Sequence, residues 1–172
     1  PLMRRPRLHL PTKYNIPINQ NVDVFIKSLE PIYMLYLKDK AAAVREFGTE
    51  RIPDLLRVFG NTWLGTFVGK LAEILNKDSG HSVKITALNS LRTIALSQYG
   101  DSIADKIIAI IFKVLSDPVP NVRIVGIRTL SAISRRFEAP QLRDQIKKSI
   151  ASVAEDPDKD VKFYCAEALS SL

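Results

Sequence analysis

The sequence is poor in cysteine, glycine and tryptophan, and each shortage argues against a class of structure. Cys165 is the single cysteine, so an internal disulfide is excluded and a reducing compartment is favoured over a secreted, disulfide-held fold. Seven glycines and one tryptophan stand beside abundant Leu, Ile, Ala, Lys and Arg, a composition that favours helix. No uninterrupted apolar run approaches the ~20 residues of a membrane-spanning helix, so no membrane segment is predicted.

Residues able to hold a metal or a phosphate are also scarce. The two histidines, His9 and His81, lie far apart in the sequence, and no closely spaced set of His, Cys and acidic residues offers metal ligands. No glycine-rich phosphate loop is present. The acidic run "EDPDKD" at 155–160 lacks the glycine and the spacing of a calcium loop. The sequence therefore predicts a protein without enzymatic activity, metal or cofactor.

The basic excess is concentrated at the start of the chain. Residues 1–22 hold four basic residues and no acidic one, and so contribute more than half of the net charge of +7. We interpret this proline-rich segment as an irregular arm, with nucleic-acid or acidic-lipid binding as the alternative. The nearly balanced charge of residues 23–172 and the lack of aromatic residues among the basic ones argue against nucleic acid.

Five positions recur with a spacing of 39 residues in four copies, without an insertion. They are an aspartate, a valine, a basic residue, a small residue and an aliphatic residue. The recurring residues are Asp39, Asp78, Asp117 and Asp156; Val44, Val83, Val122 and Val161; Arg45, Lys84, Arg123 and Lys162; Gly48, Ala87, Gly126 and Cys165; and Ile52, Leu91, Leu130 and Leu169. Such a period is the signature of a repeat protein.

Each copy contains one apolar-periodic segment before the aspartate and another after it, which predicts two helices per copy. Units of this size cannot bury their apolar faces alone, so we predict an all-α fold, an α-solenoid of four helix–turn–helix repeats. The predicted repeats are 23–60, 61–100, 101–138 and 139–172. Ser82, Asn121 and Asp160 are predicted N-caps of second helices, with Asp39 as the start in the first copy. Pro31 and Pro53 predict kinks.

The aspartate and the basic residue six positions later predict a structural ladder between neighbouring turns. In a stack, each basic side chain would lie near the turn of the next copy, and charge-assisted hydrogen bonds would fix the stacking. The residues assigned to this role are Asp39, Arg45, Asp78, Asp117 and Asp156. The small residue of each copy is predicted to allow close helix packing, which makes Cys165 a core residue.

The turn sequences resemble those of the HEAT-repeat family. The stretches concerned are "KDKAAAVRE" (38–46), "VFGNTW" (58–63), "SDPVPNVR" (116–123) and "DKDVKFYCAEAL" (158–169). Within the family, their order and spacing are most similar to the C-terminal repeats of protein phosphatase 2A scaffold subunits, with the phosphatase 4 scaffold as a related alternative. The resemblance implies a non-catalytic scaffold, in the cytoplasm or the nucleus, whose ridge of turns binds a Ser/Thr phosphatase catalytic subunit. Repeats upstream in the family bind a regulatory subunit.

The resemblance also implies which residues would contact the partner. They are Lys40, Lys84, Val119, Pro120, Asn121, Arg123, Asp158, Lys159, Asp160 and Lys162. Two positions depart from the family pattern: Lys84 stands where an arginine is usual, and Ala42 where a bulky aromatic residue is usual. The loss of an aromatic anchor weakens the prediction for the first copy. The alternative function is a structural or adaptor role in another multi-protein assembly.

Overall fold

The computed structural model describes residues 22–77, 80–137 and 139–172, and all regular structure in these ranges is helical. The predicted all-α class is therefore confirmed. The helices are α1 (Glu30–Tyr36), α2 (Ala42–Glu50), α3 (Ile52–Asn76), α4 (His81–Ala95), α5 (Ala104–Val114), α6 (Pro120–Arg136), α7 (Pro140–Ala151) and α8 (Lys159–Ser170). A π-helical segment, Phe25–Leu29, leads into α1, and a 3₁₀ turn, Gly100–Ser102, precedes α5. Of the helices in the described part of the chain, none combines the length and the apolar character that a membrane span requires.

The beginnings of the second helices differ from the prediction. Gly80, Val119 and Asp158 occupy the N-cap positions, so the assignment of Ser82, Asn121 and Asp160 as N-caps is wrong. α6 begins at Pro120, which suits the first helical turn because proline lacks the N–H that would be unpaired there. The Asp158 carboxylate caps α8 by accepting the backbone N–H groups of Asp160 and Val161.

In the first copy, the second helix begins at Ala42 rather than at Asp39. Asp39 belongs to the preceding turn, where its Oδ1 accepts the N–H of Ala41 at 2.7 Å. Pro31 and Pro53 both lie in the first turn of a helix, so each predicted kink is a boundary between two helical segments. The boundary before Pro53 falls at Arg51, between α2 and α3.

α3 is bent sharply at Gly60. Its backbone angles there are φ 58° and ψ −153°, a left-handed conformation that glycine adopts without the steric penalty of a side chain. The bend divides α3 at the predicted boundary between the first copy (23–60) and the second copy (61–100). A single glycine thus lets two helical segments follow each other with almost no connecting loop.

The helices pack in a regular series. α2 contacts α4, α4 contacts α6, and α6 contacts α8, while α3, α5 and α7 lie against members of this series. One hydrophobic core runs through the described helices other than α2, which contributes no hydrophobic side chain to it. The recurring small residues Gly48, Ala87, Gly126 and Cys165 are all buried. The recurring aliphatic residues are also buried in the first three copies, and Leu169 is half-buried.

Candidate partner-binding surface on the inter-helix turns

The recurring aspartate shapes each turn that the structure describes. Its Oδ1 atom accepts the backbone N–H two residues further on, at 2.7 Å for Asp39, 2.9 Å for Asp117 and 2.9 Å for Asp156. This side-chain-to-backbone bond is typical of aspartate in tight turns. The turns before α2, α6 and α8 therefore have a common local structure. Asp78, the fourth predicted member, lies outside the described residues.

Two basic residues join consecutive turns. Lys84 Nζ lies 2.7 Å from Asp117 Oδ2, and Arg123 Nη2 lies 2.7 Å from Asp156 Oδ1. In the second pair, the side chains are only 10% and 7% exposed. Each pair links a basic residue at the start of one helix to the aspartate of the next turn, 33 residues along the chain. We call these two pairs the turn ladder.

The arginines also hold their own turns. Nη1 of Arg123 donates to the carbonyl oxygen of Asp117 at 2.7 Å, and Nη1 of Arg45 donates to that of Asp39 at 2.7 Å. The Nε group of Arg45 donates to Thr86 Oγ1 at 3.1 Å, on the next helix of the series. Thr86 comes 41 residues after Arg45, and the residue 41 positions after Arg123 is Tyr164. The buried Nε of Arg123 has no hydrogen-bond partner among the described residues.

Ionisation of Asp156 is controlled by two opposing effects. Burial alone would raise the pKa of its carboxyl group. Hydrogen bonds from Arg123 and from the Asp158 backbone N–H, together with the positive charges of Arg123 and Lys162, outweigh burial and lower the pKa. The carboxylate form is therefore favoured in the folded protein. Burial of the Cys165 thiol raises its pKa, and the nearby negative charge of Asp156 raises it further as the smaller cause.

The structure separates the predicted partner-binding residues into three groups by exposure. Lys40, Asn121, Lys159, Asp160 and Lys162 are exposed, and Val119, Pro120 and Asp158 are half-buried. Arg123 is buried, and the ammonium group of Lys84 is held by Asp117. The charged groups of Arg123 and Lys84 are thus engaged in the turn ladder, and the surface left for a partner consists of the remaining eight residues.

A second surface, on the helices rather than the turns, was not predicted from the sequence. Ile85, Ile124 and Phe163 recur at the 39-residue spacing, and of these Phe163 is exposed, Ile85 is half-buried and Ile124 is buried. Phe163 is 64% exposed, and it adjoins Tyr164 and Arg128 on the face formed by α4, α6 and α8. The period alone was a sufficient signal to find these residues.

Comparison with known proteins identified no relative. No protein-family model matches the chain, and no curated protein matches it significantly. Within the described ranges, no group of three or more His, Cys, Asp or Glu side chains is placed to hold a metal ion.

Proposed function

We propose that the chain is a non-catalytic scaffold in which four HEAT-like repeats stack into an α-solenoid and the ridge of turns binds a partner protein. The main support is the turn ladder: Lys84–Asp117 and Arg123–Asp156 hold successive turns side by side. Buried, charge-assisted pairs of this kind keep a surface rigid, so a partner meets it at a low entropy cost. On this ridge, Asn121 is exposed and Val119 is half-buried.

The proposed partner is the catalytic subunit of a Ser/Thr phosphatase, as the resemblance of the turn sequences implies. The exposed ridge residues include both charge signs and an amide, which suits a polar protein surface. Lys40 lies at one end of this set, and Asp160 and Lys162 lie at the other. A cytoplasmic or nuclear location is part of the same proposal, as is recruitment of a regulatory subunit by further repeats.

A second candidate function is an adaptor in another multi-protein assembly. It is favoured by Ala42, an exposed alanine where the family usually has an aromatic anchor. The two candidates predict different partners for the same ridge, and binding to a purified phosphatase subunit distinguishes them.

The test uses the immobilised 172-residue chain and the purified catalytic subunits of phosphatases 2A and 4. We expect binding to at least one subunit, weakened about tenfold or more by the double substitution Asn121→Glu, Lys162→Glu. Both residues are exposed and neither belongs to the turn ladder. Gln145→Glu, at an exposed position on α7, is the control for an added negative charge.

Circular dichroism of each variant shows whether the helices remain intact. A folded chain that binds neither subunit contradicts the phosphatase proposal and leaves the adaptor role as the surviving candidate. Equal binding by the ridge double variant and the Gln145→Glu control places the contact elsewhere, and so contradicts the role of the ridge.

A further inference from the structure

A pocket of about 190 Å³ opens between α4, α6 and α8, on the helix faces rather than on the turns. Arg92 of α4 and Arg128 and Arg135 of α6 contribute three guanidinium groups to its lining, and α8 contributes Tyr164 and Glu167. We refer to it as the arginine pocket. Among the described residues, none of these arginines forms an ion pair, so the lining has an unneutralised charge of about two positive units against the one carboxylate.

Two of the three guanidinium groups are already oriented in the absence of a ligand. The Arg128 guanidinium lies over the Tyr164 ring, 5.5 Å from its centroid. Nη2 of Arg135 donates to Ser131 Oγ and to Ser171 Oγ, both at 3.1 Å. Because these groups are held by neutral partners, they lose little conformational entropy when an anion binds. The site is therefore organised for a ligand of opposite charge.

A second pocket, of about 490 Å³, adjoins the first and shares Arg128 and Tyr164 with it. Its apolar lining includes Ile124, Val125 and the exposed ring of Phe163. Large exposed aromatic side chains beside a pocket are typical of protein interaction sites. Asp160 also lines this pocket, and its negative charge disfavours an anion there. The two pockets thus prefer different side chains: an anionic one and an apolar one.

We propose that these pockets together bind an extended, phosphorylated segment of a partner protein. The phosphate of a phosphoserine or phosphothreonine enters the arginine pocket, and a nearby apolar side chain lies against Phe163. A phosphate monoester has a charge of about −1.5 to −2 at pH 7, which matches the excess charge of the pocket better than one carboxylate does. Arginine forks also bind phosphate oxygens in pairs. The arginine pocket contains no ridge residue, and the second pocket shares Asn121 and Asp160 with the ridge. The proposal does not depend on the proposed phosphatase partner.

The probe is a synthetic peptide library with a central phosphoserine and five randomised residues on each side. Matched libraries have serine or glutamate at the centre. We expect the immobilised chain to retain the phosphoserine library at least about tenfold better than the serine library, and several-fold better than the glutamate library. Sequencing of the retained peptides should show an apolar residue enriched at a fixed distance from the phosphoserine.

Variants locate the binding. The double substitution Arg92→Gln, Arg128→Gln should abolish the preference for phosphoserine, whereas Arg128→Lys should retain part of it because the charge remains and the fork is lost. Phe163→Ala should remove the apolar preference alone. Arg57→Gln, which removes the charge of an exposed arginine on α3, is the control. All these side chains are exposed, and circular dichroism verifies that the variants are folded.

Four results would overturn the proposal. The first is the absence of retention of the phosphoserine library by the folded chain, and the second is equal retention of the phosphoserine and glutamate libraries. The third is displacement of bound peptide by inorganic phosphate at the concentration of the peptide itself, which indicates a site for the free anion. Retention that survives the double arginine substitution equally places the site elsewhere.

Discussion

The region around α1 and α3 and the region around α5 and α6 are stabilised in different ways. Around α1 and α3, the rings of Phe25, Tyr33, Phe59, Trp63 and Phe67 contact one another in a continuous aromatic cluster. Around α5 and α6, the core is aliphatic, with Ile107, Ile111, Val122, Ile127, Leu130 and Ile133 fully buried. Trp63 and Phe67 are fully buried, but the residues 39 positions after them, Ser102 and Lys106, are exposed, so the aromatic cluster is not part of the repeated pattern.

Charge is buried in both regions, but in different places. Glu30 is fully buried beneath the aromatic cluster, where its Oε1 accepts the Trp63 Nε1–H at 2.9 Å and its Oε2 pairs with Lys70. Around α6, the buried charges are Arg123 and Asp156, which join two turns. The carboxylate of Glu30 thus fixes helix against helix, and that of Asp156 fixes turn against turn. The backbone of the first region also contains the π-helical segment and the Gly60 bend.

Truncation of the aromatic cluster should produce the largest loss of stability. Trp63→Ala removes a fully buried ring that stacks on Phe67 at a centroid distance of 4.3 Å and leaves Glu30 without one hydrogen-bond donor. We expect the free energy of unfolding to fall by about 4 kcal/mol, measured by urea denaturation. Phe163→Ala removes an exposed ring and should change it by about 0.5 kcal/mol or less. A similar loss for both variants would contradict the assigned core.

Removal of charge from the turn ladder should have the next largest effect. Asp156→Asn keeps an oxygen for the Asp158 N–H but leaves the buried Arg123 without a charged partner. We expect a loss of about 3 kcal/mol in the free energy of unfolding. Asp101→Asn breaks an exposed pair with Arg136 and should cost about 0.5 kcal/mol or less. Equal costs would show that the ladder contributes no more than a surface pair.

The same pair predicts a dependence of stability on pH. Because the pKa of Asp156 is lower in the folded than in the unfolded protein, its contribution is complete above the unfolded value of about 3.9 and is lost as the pH falls through the folded value. The difference in unfolding free energy between the wild-type protein and Asp156→Asn should therefore narrow on acidification below about pH 4. A constant difference between pH 6 and pH 2 is the result that rejects this assignment.

The smallest expected change in stability distinguishes two recurring glycines, Gly48 of α2 and Gly126 of α6. A methyl group on Gly48 would lie 2.9 Å from Leu37 Cδ2, whereas one on Gly126 would make ordinary contacts, the nearest being 3.4 Å from Leu115 Cδ2. Alanine favours helix over glycine by up to about 1 kcal/mol, which the contact at Gly48 offsets. We expect Gly126→Ala to be more stable than Gly48→Ala by about 1 kcal/mol, measured by thermal denaturation. The reverse order would contradict the closer approach at Gly48.

The features that could be predicted from the sequence are those at positions that recur every 39 residues. The helical class and the burial of Gly48, Ala87, Gly126 and Cys165 follow from positions that recur, because equivalent neighbours impose equivalent packing. The π-helical segment occurs once, and the bend at Gly60 depends on a single backbone conformation that no pattern of apolar residues reveals. The helix starts were wrong by two residues because Gly80 and Val119, which have no side-chain oxygen, occupy two of the N-cap positions, so a polar residue does not mark the start there.

For the candidate surface, residue type indicated which side chains lie on the turns, but not which of them are buried in internal ion pairs. Arg123 was predicted both for the ladder and for the partner-binding surface, and it is buried, whereas Asn121 is exposed. The recurring spacing predicted that a basic residue would approach the next turn, and Arg123 Nη2 lies 2.7 Å from Asp156 Oδ1. The arginine pocket was not predicted because Arg92 lies on α4 and Arg128 and Arg135 on α6, and they converge only after packing.

The turn ladder also bears on how the chain folds. Its two pairs join residues 33 apart, and no side-chain hydrogen bond within 22–77, 80–137 and 139–172 joins residues more than 41 apart. Closing loops of this modest length costs little entropy, and low contact order accompanies rapid folding. Each helix pair can therefore form on its immediate predecessor as it emerges during synthesis, without waiting for the distant end of the chain.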